Sequence, residues 1–186
     1  ARIAATRHVP LPLRREAVIA LGDWKNPPPR DRVTGYWRPL ATRELTTITP
    51  VLEAELPRLL SSSPAELQPD VAKLIQKLEL KADEEVFFHW LNDGQKPAAV
   101  RVAALQFLAT KKNDRVTAAI DAALTAEQVG LRIAAREILA ERDAFNAVRS
   151  TFGTMERFRP ALRLLEEHGF IRRLAPSARS GPGRKP

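Results

Sequence analysis

The chain has 186 residues, a formal net charge of +8 and no cysteine. That length is enough for one hydrophobic core, or for one array of helical repeats with a small addition. The lack of cysteine excludes disulfides, thiolate metal sites, a cysteine nucleophile and covalent attachment of a c-type haem. Hydrophobic residues make up 44% of the chain but form no apolar run near the roughly 18 residues of a membrane-spanning helix, so we expect a soluble protein without a membrane partner.

The positive charge is concentrated at the two ends of the chain. Residues 1–43 carry nine basic and three acidic side chains, and residues 172–186 carry five basic side chains and no acid. Contacts with anions are therefore expected at the ends rather than along the middle, and basic tails that are merely solvated are the alternative. The chain starts at Ala1 rather than at a methionine, and we expect it to be a piece of a larger protein.

Residues 1–43 are expected to form a helix and a long loop that together cap the rest of the chain. Apolar residues at helical spacing predict a helix from Leu13 to Leu21, which Gly22 would end. The loop that follows contains three consecutive prolines, which exclude helix and favour an extended backbone. It also contains three large aromatic residues, namely Trp24, Tyr36 and Trp37.

Two interpretations of this loop remain open, because a loop of this length in a compact array is either a packed cap or a functional segment. In the first, Trp24 and Trp37 pack over the exposed end of the first helices, since terminal repeats need covering. In the second, the aromatic rings and the arginines among them (Arg30, Arg32 and Arg38) form a recognition surface for a partner or for an anion such as nucleic acid.

Residues 44–150 are predicted to form a series of helices separated by short turns. Pro57 lies within one of them and is expected to kink or shorten it. N-terminal caps are predicted at four points: Thr49 before Pro50, Ser63 with Glu66, Asn113, and Thr125 with Gln128.

Two stretches of this region repeat the same pattern. VRVAALQFL, which begins at Val100, and LRIAAREIL, which begins at Leu131, align without gaps at a period of about 31 residues. LRREAVIAL, which begins at Leu13, is a third copy nearly three such periods upstream. Antiparallel helix pairs stacked at this period predict an all-α fold, a HEAT-like α-solenoid.

Arg101 and Arg132 occupy the same position in the two matched helices. The interpretation we favour is structural, with each arginine paired to an acidic residue in a turn between helices, either Asp114 or Asp143. The alternative is a line of arginines along a concave groove that binds an acidic partner.

The segment LGDWKNPPPRDRVTGYWRPL, residues 21–40, together with the Arg/Ala/Leu helices after it, resembles the HEAT-type repeat region of large planctomycete-type sugar dehydrogenase/cytochrome c proteins. The resemblance covers about residues 13–150. In that family the repeats lie between a dehydrogenase-like propeller and a c-type cytochrome domain. Neither the propeller nor a C-x-x-C-H haem motif is present here, so the resemblance implies the repeat scaffold alone, without redox activity or a small-molecule substrate, and a periplasmic location.

Residues 151–186 depart from the repeat pattern. A helix that Gly169 would end is followed by Phe170 and Ile171, which have the alternation of a short strand, and then by a basic Gly/Pro-rich tip. ALRLLEEHGFIR, which begins at Ala161, is similar to the winged-helix end of phage- and plasmid-type primase/helicase-like proteins. The resemblance implies a small winged-helix-like segment with a basic, disordered tail, nucleic acid as a partner and a cytoplasmic location.

No motif of a catalytic or cofactor site is present in the sequence. P-loop, G-x-G-x-x-G, H-E-x-x-H and G-x-S-x-G patterns are all missing. Glu85 and His89 have a spacing that suits a metal ion, but no second pair of ligands accompanies them. We therefore expect a protein that is not an enzyme and that holds no cofactor and no metal.

Two functions remain open. The first is a non-catalytic scaffold for protein–protein or inter-domain interaction, with contacts through Trp24, Tyr36, Trp37, Arg101 and Arg132. The second is a nucleic-acid-binding module whose phosphate contacts come from Arg157, Arg159, Arg163, Arg172, Arg173, Arg184 and Lys185. A chance fusion of two unrelated segments, without a joint function, is a third alternative.

Overall fold

The computed structural model describes residues 1–32, 34–111 and 113–171 and is all-α, which confirms the predicted class. Helical residues make up 65% of it. The helices are α1 (Arg2–Ala5), α2 (Leu11–Gly22), α3 (Thr49–Ser62), α4 (Gln68–Lys77), α5 (Glu84–Asn92), α6 (Ala98–Leu108), α7 (Asp114–Leu124), α8 (Val129–Ala147), α9 (Arg149–Phe152) and α10 (Met155–Glu167). Within the described residues, no helix is long and apolar enough to cross a membrane, and extended pairing is limited to one antiparallel bridge, between Arg30 and Trp37.

The chain divides into two compact units, Ala1–Ala134 and Ala135–Pro186. The division falls inside α8. Most large buried side chains belong to the first unit; those with almost no exposed surface are Val18, Leu67, Val71, Ile75, Phe87, Val100, Leu105, Leu108, Val116, Ile120 and Leu131.

In the first unit, the even-numbered helices pack side by side. α2 packs on α4, and α4 packs on α6. Each of these helices is also preceded in the chain by a helix that it contacts, α1 for α2, α3 for α4 and α5 for α6. The start of α8 lies against α6, since a methyl group placed on Gly130 would lie 3.9 Å from Val102 Cγ2. The effect of packing on both sides is clearest in α6, whose buried residues are Val100, Ala103, Ala104, Leu105, Phe107 and Leu108. The small alanines among them let neighbouring helices approach closely.

Aromatic packing joins α5 to α6. Phe87 is fully buried, and its ring stacks on Phe107 with 3.7 Å between centroids and 22° between planes. The Trp90 ring meets Phe87 edge-on at 5.2 Å. Such pairs contribute to stability beyond the area that they bury.

One of the four predicted N-terminal caps is confirmed and three are wrong. Thr49 is the first residue of α3, and its hydroxyl donates to the Leu45 carbonyl at 2.9 Å instead of capping the helix. Asn113 Oδ1 accepts a 2.9 Å hydrogen bond from the Val116 N–H at the start of α7. Ser63 and Thr125 follow the ends of α3 and α7, where their hydroxyls donate to the carbonyls of Leu59 (2.7 Å) and Ala122 (3.2 Å). A hydroxyl satisfies the last carbonyls of a helix as readily as the first N–H groups of the next. In a short turn the two roles compete, and spacing alone does not decide between them.

Pro57 does not shorten α3, which runs without interruption from Thr49 to Ser62. Its ring lies on the exposed side of the helix, while Leu56, Leu59 and Leu60 are buried. Proline has no N–H to donate to the carbonyl one turn earlier in the helix. On this exposed side, water can bond to that carbonyl instead.

α4 ends in a turn that normally contains glycine. Glu79 has φ +52°, a left-handed conformation that is uncommon for residues with a side chain. The Leu80 N–H donates to the Ile75 carbonyl at 3.0 Å, and the Glu79 N–H donates to the Gln76 carbonyl at 3.3 Å. These two bonds, with Leu80 buried beneath the turn, hold Glu79 in place.

The second unit has a small aromatic cluster. Phe158 of α10 is buried and lies 5.7 Å from the Phe145 ring and 5.5 Å from the Phe152 ring. α10 ends at Glu167, and the expected glycine follows its C-cap: Gly169 has φ +73°. Phe170 and Ile171, which were predicted to begin a strand, instead form a bend in which both N–H groups donate to the Leu165 carbonyl.

Candidate interaction site on the proline and aromatic loop

Residues 25–43 form an irregular hairpin, which we call the aromatic hairpin. Its two arms are joined by main-chain hydrogen bonds from Arg43 to Lys25 (2.9 Å), from Arg38 to Pro29 (2.7 Å) and from Asp31 to Tyr36 (2.8 Å). Because proline has no N–H, the proline arm takes part mainly as an acceptor, and the other arm supplies most of the donors.

The tip of the aromatic hairpin is a tight turn between Asp31 and Gly35. The Gly35 N–H donates to the Asp31 carbonyl at 2.9 Å, and the Thr34 N–H donates to Asp31 Oδ1 at 2.7 Å. Gly35 has φ +72°, which a residue with a side chain rarely adopts. Sequence reasoning missed this hairpin, although an aspartate and a glycine four residues apart between two extended stretches are a recognisable signal for it.

Trp24 holds the base of the aromatic hairpin. Its indole N–H donates to the Glu44 carbonyl at 3.4 Å, and the Arg43 guanidinium lies 4.8 Å from its ring centroid. The ring is half-buried. Trp24 is therefore used mainly to close the loop, and it is less suited to contact a partner than the rings near the tip.

Ion pairs attach the aromatic hairpin to the helices beneath it. Arg32 bonds to Glu16 of α2 at 3.0 Å and to Asp23 at 3.3 Å, and Asp23 also accepts from Lys77 of α4 at 2.7 Å. Each pair is partly exposed and weak by itself. Arg32 thus links the hairpin to α2 and to Asp23, and Asp23 in turn links the end of α2 to α4.

The two aromatic rings nearest the tip are exposed. Tyr36 is 76% exposed, Trp37 is 66% exposed and Leu40 is 44% exposed. The Arg30 guanidinium lies 5.9 Å from the Trp37 ring centroid. Trp37 therefore does not pack over the end of the first helices, as one interpretation of the sequence expected, because its bridge to Arg30 holds it within the hairpin.

Arg101 and Arg132 bond to main-chain carbonyls and not to Asp114 or Asp143, so the expected pairing is wrong. Arg101 Nε donates to the Leu91 carbonyl at 2.8 Å, and an Arg132 terminal nitrogen donates to the Ala126 and Glu127 carbonyls at 2.7 Å. Leu91 lies in the last turn of α5, and Ala126 with Glu127 lies in the turn between α7 and α8. A guanidinium therefore finds carbonyls there that lack an intrahelical partner.

Arg14, the matching residue of the third copy, makes the same kind of contact. Its Nε donates to the Ala4 carbonyl at 2.8 Å, and a terminal nitrogen reaches the carbonyl and the hydroxyl of Ser62 at 3.2 Å. Arg14 is only 4% exposed. Burial, and secondly the charge of Arg7, lower its pKa, but arginine remains protonated near neutral pH. Arg14 and Arg101 thus connect neighbouring helices, and Arg132 connects α8 to the turn before it. These contacts make the three arginines poor candidates for contact with a partner.

The predicted phosphate-binding residues are only partly within the described chain. Arg157, Arg159 and Arg163 lie exposed on α10. Arg159 bonds to Glu141, and α10 carries three acidic residues beside its three arginines. The other four, Arg172, Arg173, Arg184 and Lys185, lie outside the described residues.

Glu85 and His89 do not come together with other ligands. Glu85 accepts hydrogen bonds from Arg115, which lower the pKa of its carboxyl group. The same guanidinium lies 3.7 Å from the Phe88 ring centroid. Across the described ranges, no group of three or more histidine or acidic side chains is placed to hold a metal ion.

Comparison with models of protein families, with curated protein sequences and with solved structures gave no match to this chain.

Proposed function

We propose that this chain is a non-catalytic helical-repeat scaffold that binds a protein partner, or a neighbouring domain of a larger chain, through the aromatic hairpin. The observation that carries this proposal is the exposure of Tyr36 and Trp37 on a hairpin that is closed by its own main-chain hydrogen bonds and ion-paired to α2. Large aromatic side chains held in position lose little conformational entropy on binding, and they supply most of the binding energy at many interfaces.

The helix pairs of the first unit support a HEAT-like α-solenoid as the scaffold. α2, α4 and α6 pack in a row, and equivalent arginines of α2, α6 and α8 bond to the end of the helix or turn before them. A contact that recurs with the sequence repeat is expected when each repeat is a structural unit.

A peptide selection tests the docking function without a known partner. Random peptides displayed on phage are selected against the full chain, and the affinity of the recovered peptides is then measured by fluorescence anisotropy. In the Tyr36→Ala/Trp37→Ala double variant, we expect affinity to fall by at least about tenfold, as it does for interface aromatic residues. Stability should stay within about 0.5 kcal/mol, because both rings are exposed.

The matched control is Leu13→Ala/Val51→Ala. These two side chains are 58% and 54% exposed and lie on α2 and α3. Peptides should bind to the control as tightly as to the unaltered chain. Recovery of peptides that ignore the hairpin variant, or of no binding peptide at all, would contradict the proposed docking site.

A second candidate is nucleic-acid binding through the end of the chain, with a winged-helix-like segment as its structural form. It is favoured by the exposed positions of Arg157 and Arg163 on α10. In anisotropy with short duplex and single-stranded DNA, Arg157→Gln/Arg163→Gln should reduce the salt slope by about one per lost phosphate contact. Arg58→Gln/Arg136→Gln, which alters two exposed arginines elsewhere, is the control. Absence of DNA binding by the full chain at low salt would exclude this candidate.

A further inference from the structure

Each face of the aromatic hairpin carries one aromatic ring and one arginine. Arg30 and Trp37 lie opposite each other in the bridge. The main-chain hydrogen bonds join their neighbours, Asp31 to Tyr36 and Arg38 to Pro29, so Arg30 and Trp37 form a non-hydrogen-bonded pair. In an antiparallel arrangement, the side chains of such a pair are the closest. Their cation–π contact places them on the same face. Since successive residues of an extended strand point to opposite faces, Tyr36 and Arg38 belong to the other face.

The aromatic hairpin is strongly basic. Residues 25–43 contain five basic residues and a single acid, Asp31. Arg32 is paired with Glu16 and Asp23, whereas Lys25 and Arg38 are exposed. Arg30 is also exposed, and one of its terminal nitrogens donates to the Gly35 carbonyl at 3.3 Å. An apolar surface among positive charges is complementary to a partner whose apolar groups lie among negative charges.

This geometry favours an acidic polypeptide over a nucleic-acid strand. Platforms for single-stranded nucleic acid present successive aromatic rings on one side, so that successive bases can stack. Tyr36 and Trp37 are adjacent on an extended strand and point to opposite faces. One ring next to one arginine is instead suited to one apolar side chain next to one carboxylate.

We infer that the partner of the aromatic hairpin is an acidic protein segment in which a large apolar side chain is flanked by aspartate or glutamate. The inference rests on the docking function proposed above. The apolar side chain packs on Trp37 or Tyr36, and the carboxylates pair with Arg30 and Arg38. Leu40, 44% exposed on the same arm, extends the apolar surface.

The test uses the peptides recovered in the selection described above. We expect them to be enriched in aspartate and glutamate next to an apolar residue. Replacement of those acids by asparagine and glutamine should weaken binding, and the difference should shrink as added salt shortens the Debye length below about 10 Å. Arg38→Gln and Arg30→Gln should each weaken binding of the acidic peptides by roughly two- to fivefold. Arg58→Gln, an exposed arginine on α3 with the same change in net charge, should not.

The outcomes separate the inference from the function on which it rests. One outcome is that the selected peptides are neutral, require Tyr36 and Trp37, and bind Arg38→Gln and Arg30→Gln as tightly as the unaltered chain. This would overturn the inference that the partner is acidic but would leave the proposed docking site intact. Peptides that ignore all the hairpin variants would overturn both. Oligothymidine provides the third outcome. If it binds more tightly than any selected peptide, and if the Arg30→Gln/Arg38→Gln double variant loses that binding, the hairpin binds nucleic acid instead of an acidic peptide.

Discussion

At the scale of single residues, three arginines have one structural task. Arg14, Arg101 and Arg132 each place a guanidinium on main-chain carbonyls at the end of a preceding helix or turn. The Leu91 carbonyl lies in the last turn of α5, where carbonyls lack intrahelical donors and the helix dipole is negative. The carbonyls that Arg132 contacts lie in the turn before α8. A guanidinium with several N–H groups can donate to such carbonyls, whereas an arginine paired with a carboxylate would leave them without a donor.

Removal of one such arginine should destabilise the first unit. Arg101→Met keeps most of the aliphatic packing but leaves the Leu91 carbonyl without its donor, so we expect a loss of about 1.5–3 kcal/mol in the free energy of unfolding. Urea denaturation measures this loss, with Arg58→Met as the exposed control. Equal midpoints for the two variants would show that the contact is dispensable.

Glu79 offers the opposite case, in which a substitution should stabilise. At φ +52° the glutamate has a conformation that costs a side-chain-bearing residue about 1 kcal/mol. We therefore expect Glu79→Gly to gain about 0.5–1 kcal/mol in thermal or urea unfolding, partly offset by the greater freedom of glycine in the unfolded chain. Glu79→Ala keeps the strain and serves as the control. A glycine variant no more stable than the alanine variant would contradict this account.

At the scale of elements, the aromatic hairpin and the helix pairs depend on different interactions. The hairpin is held by main-chain hydrogen bonds, partly exposed ion pairs and the half-buried Trp24. The α5 and α6 pair is held by stacked rings with no exposed surface at Phe87. Changes to the hairpin tip should therefore affect binding with little effect on stability, while changes between helices should do the reverse.

The pairing of α5 with α6 can be tested at Phe87. Phe87→Ala removes a fully buried ring and leaves a cavity beside Phe107 and Trp90, so we expect a loss of about 3–5 kcal/mol. Phe87→Leu should lose clearly less because it fills more of the cavity. Both are read from denaturant midpoints. Similar stability of the two variants would mean that the site collapses around the missing ring.

At the scale of the whole molecule, the two units differ in how much they bury. Among the described residues, the buried apolar side chains of the second unit are Ala135, Phe145 and Phe158, while all others belong to the first. A segment with few buried apolar contacts opens at a lower free energy than a packed core.

Hydrogen exchange of the full chain should therefore distinguish the units. We expect the amides of α6, which lie among the buried Val100, Leu105 and Leu108, to be strongly protected. The amides of α10, which has a single buried side chain, should exchange at least about tenfold faster. Mass spectrometry of peptic fragments measures both in one sample. Equal protection would show that the second unit is as stable as the first.

The fold class and the arginine repeat followed from the sequence because both depend on local pattern. Helical spacing of apolar residues and the matched copies at Val100 and Leu131 are visible without coordinates. The third copy, at Leu13, begins nearly three repeat periods upstream of the copy at Val100. The chain between α2 and the pair α5 with α6 nevertheless forms only one helix pair, α3 with α4. The aromatic hairpin occupies the remaining length of chain.

The sequence by itself determined that the chain is helical, where several helices begin and end, and which residues are unusual. Only the tertiary structure decided what those residues do: the arginines meet carbonyls, Trp24 closes a loop, and Tyr36 with Trp37 remains exposed. The physical reason is that helix formation depends on neighbours a few residues apart along one helix, whereas a hydrogen-bond partner or a covered face is supplied by a different element. For Arg14 and Arg101 that partner is ten residues away, and for Trp24 it is twenty.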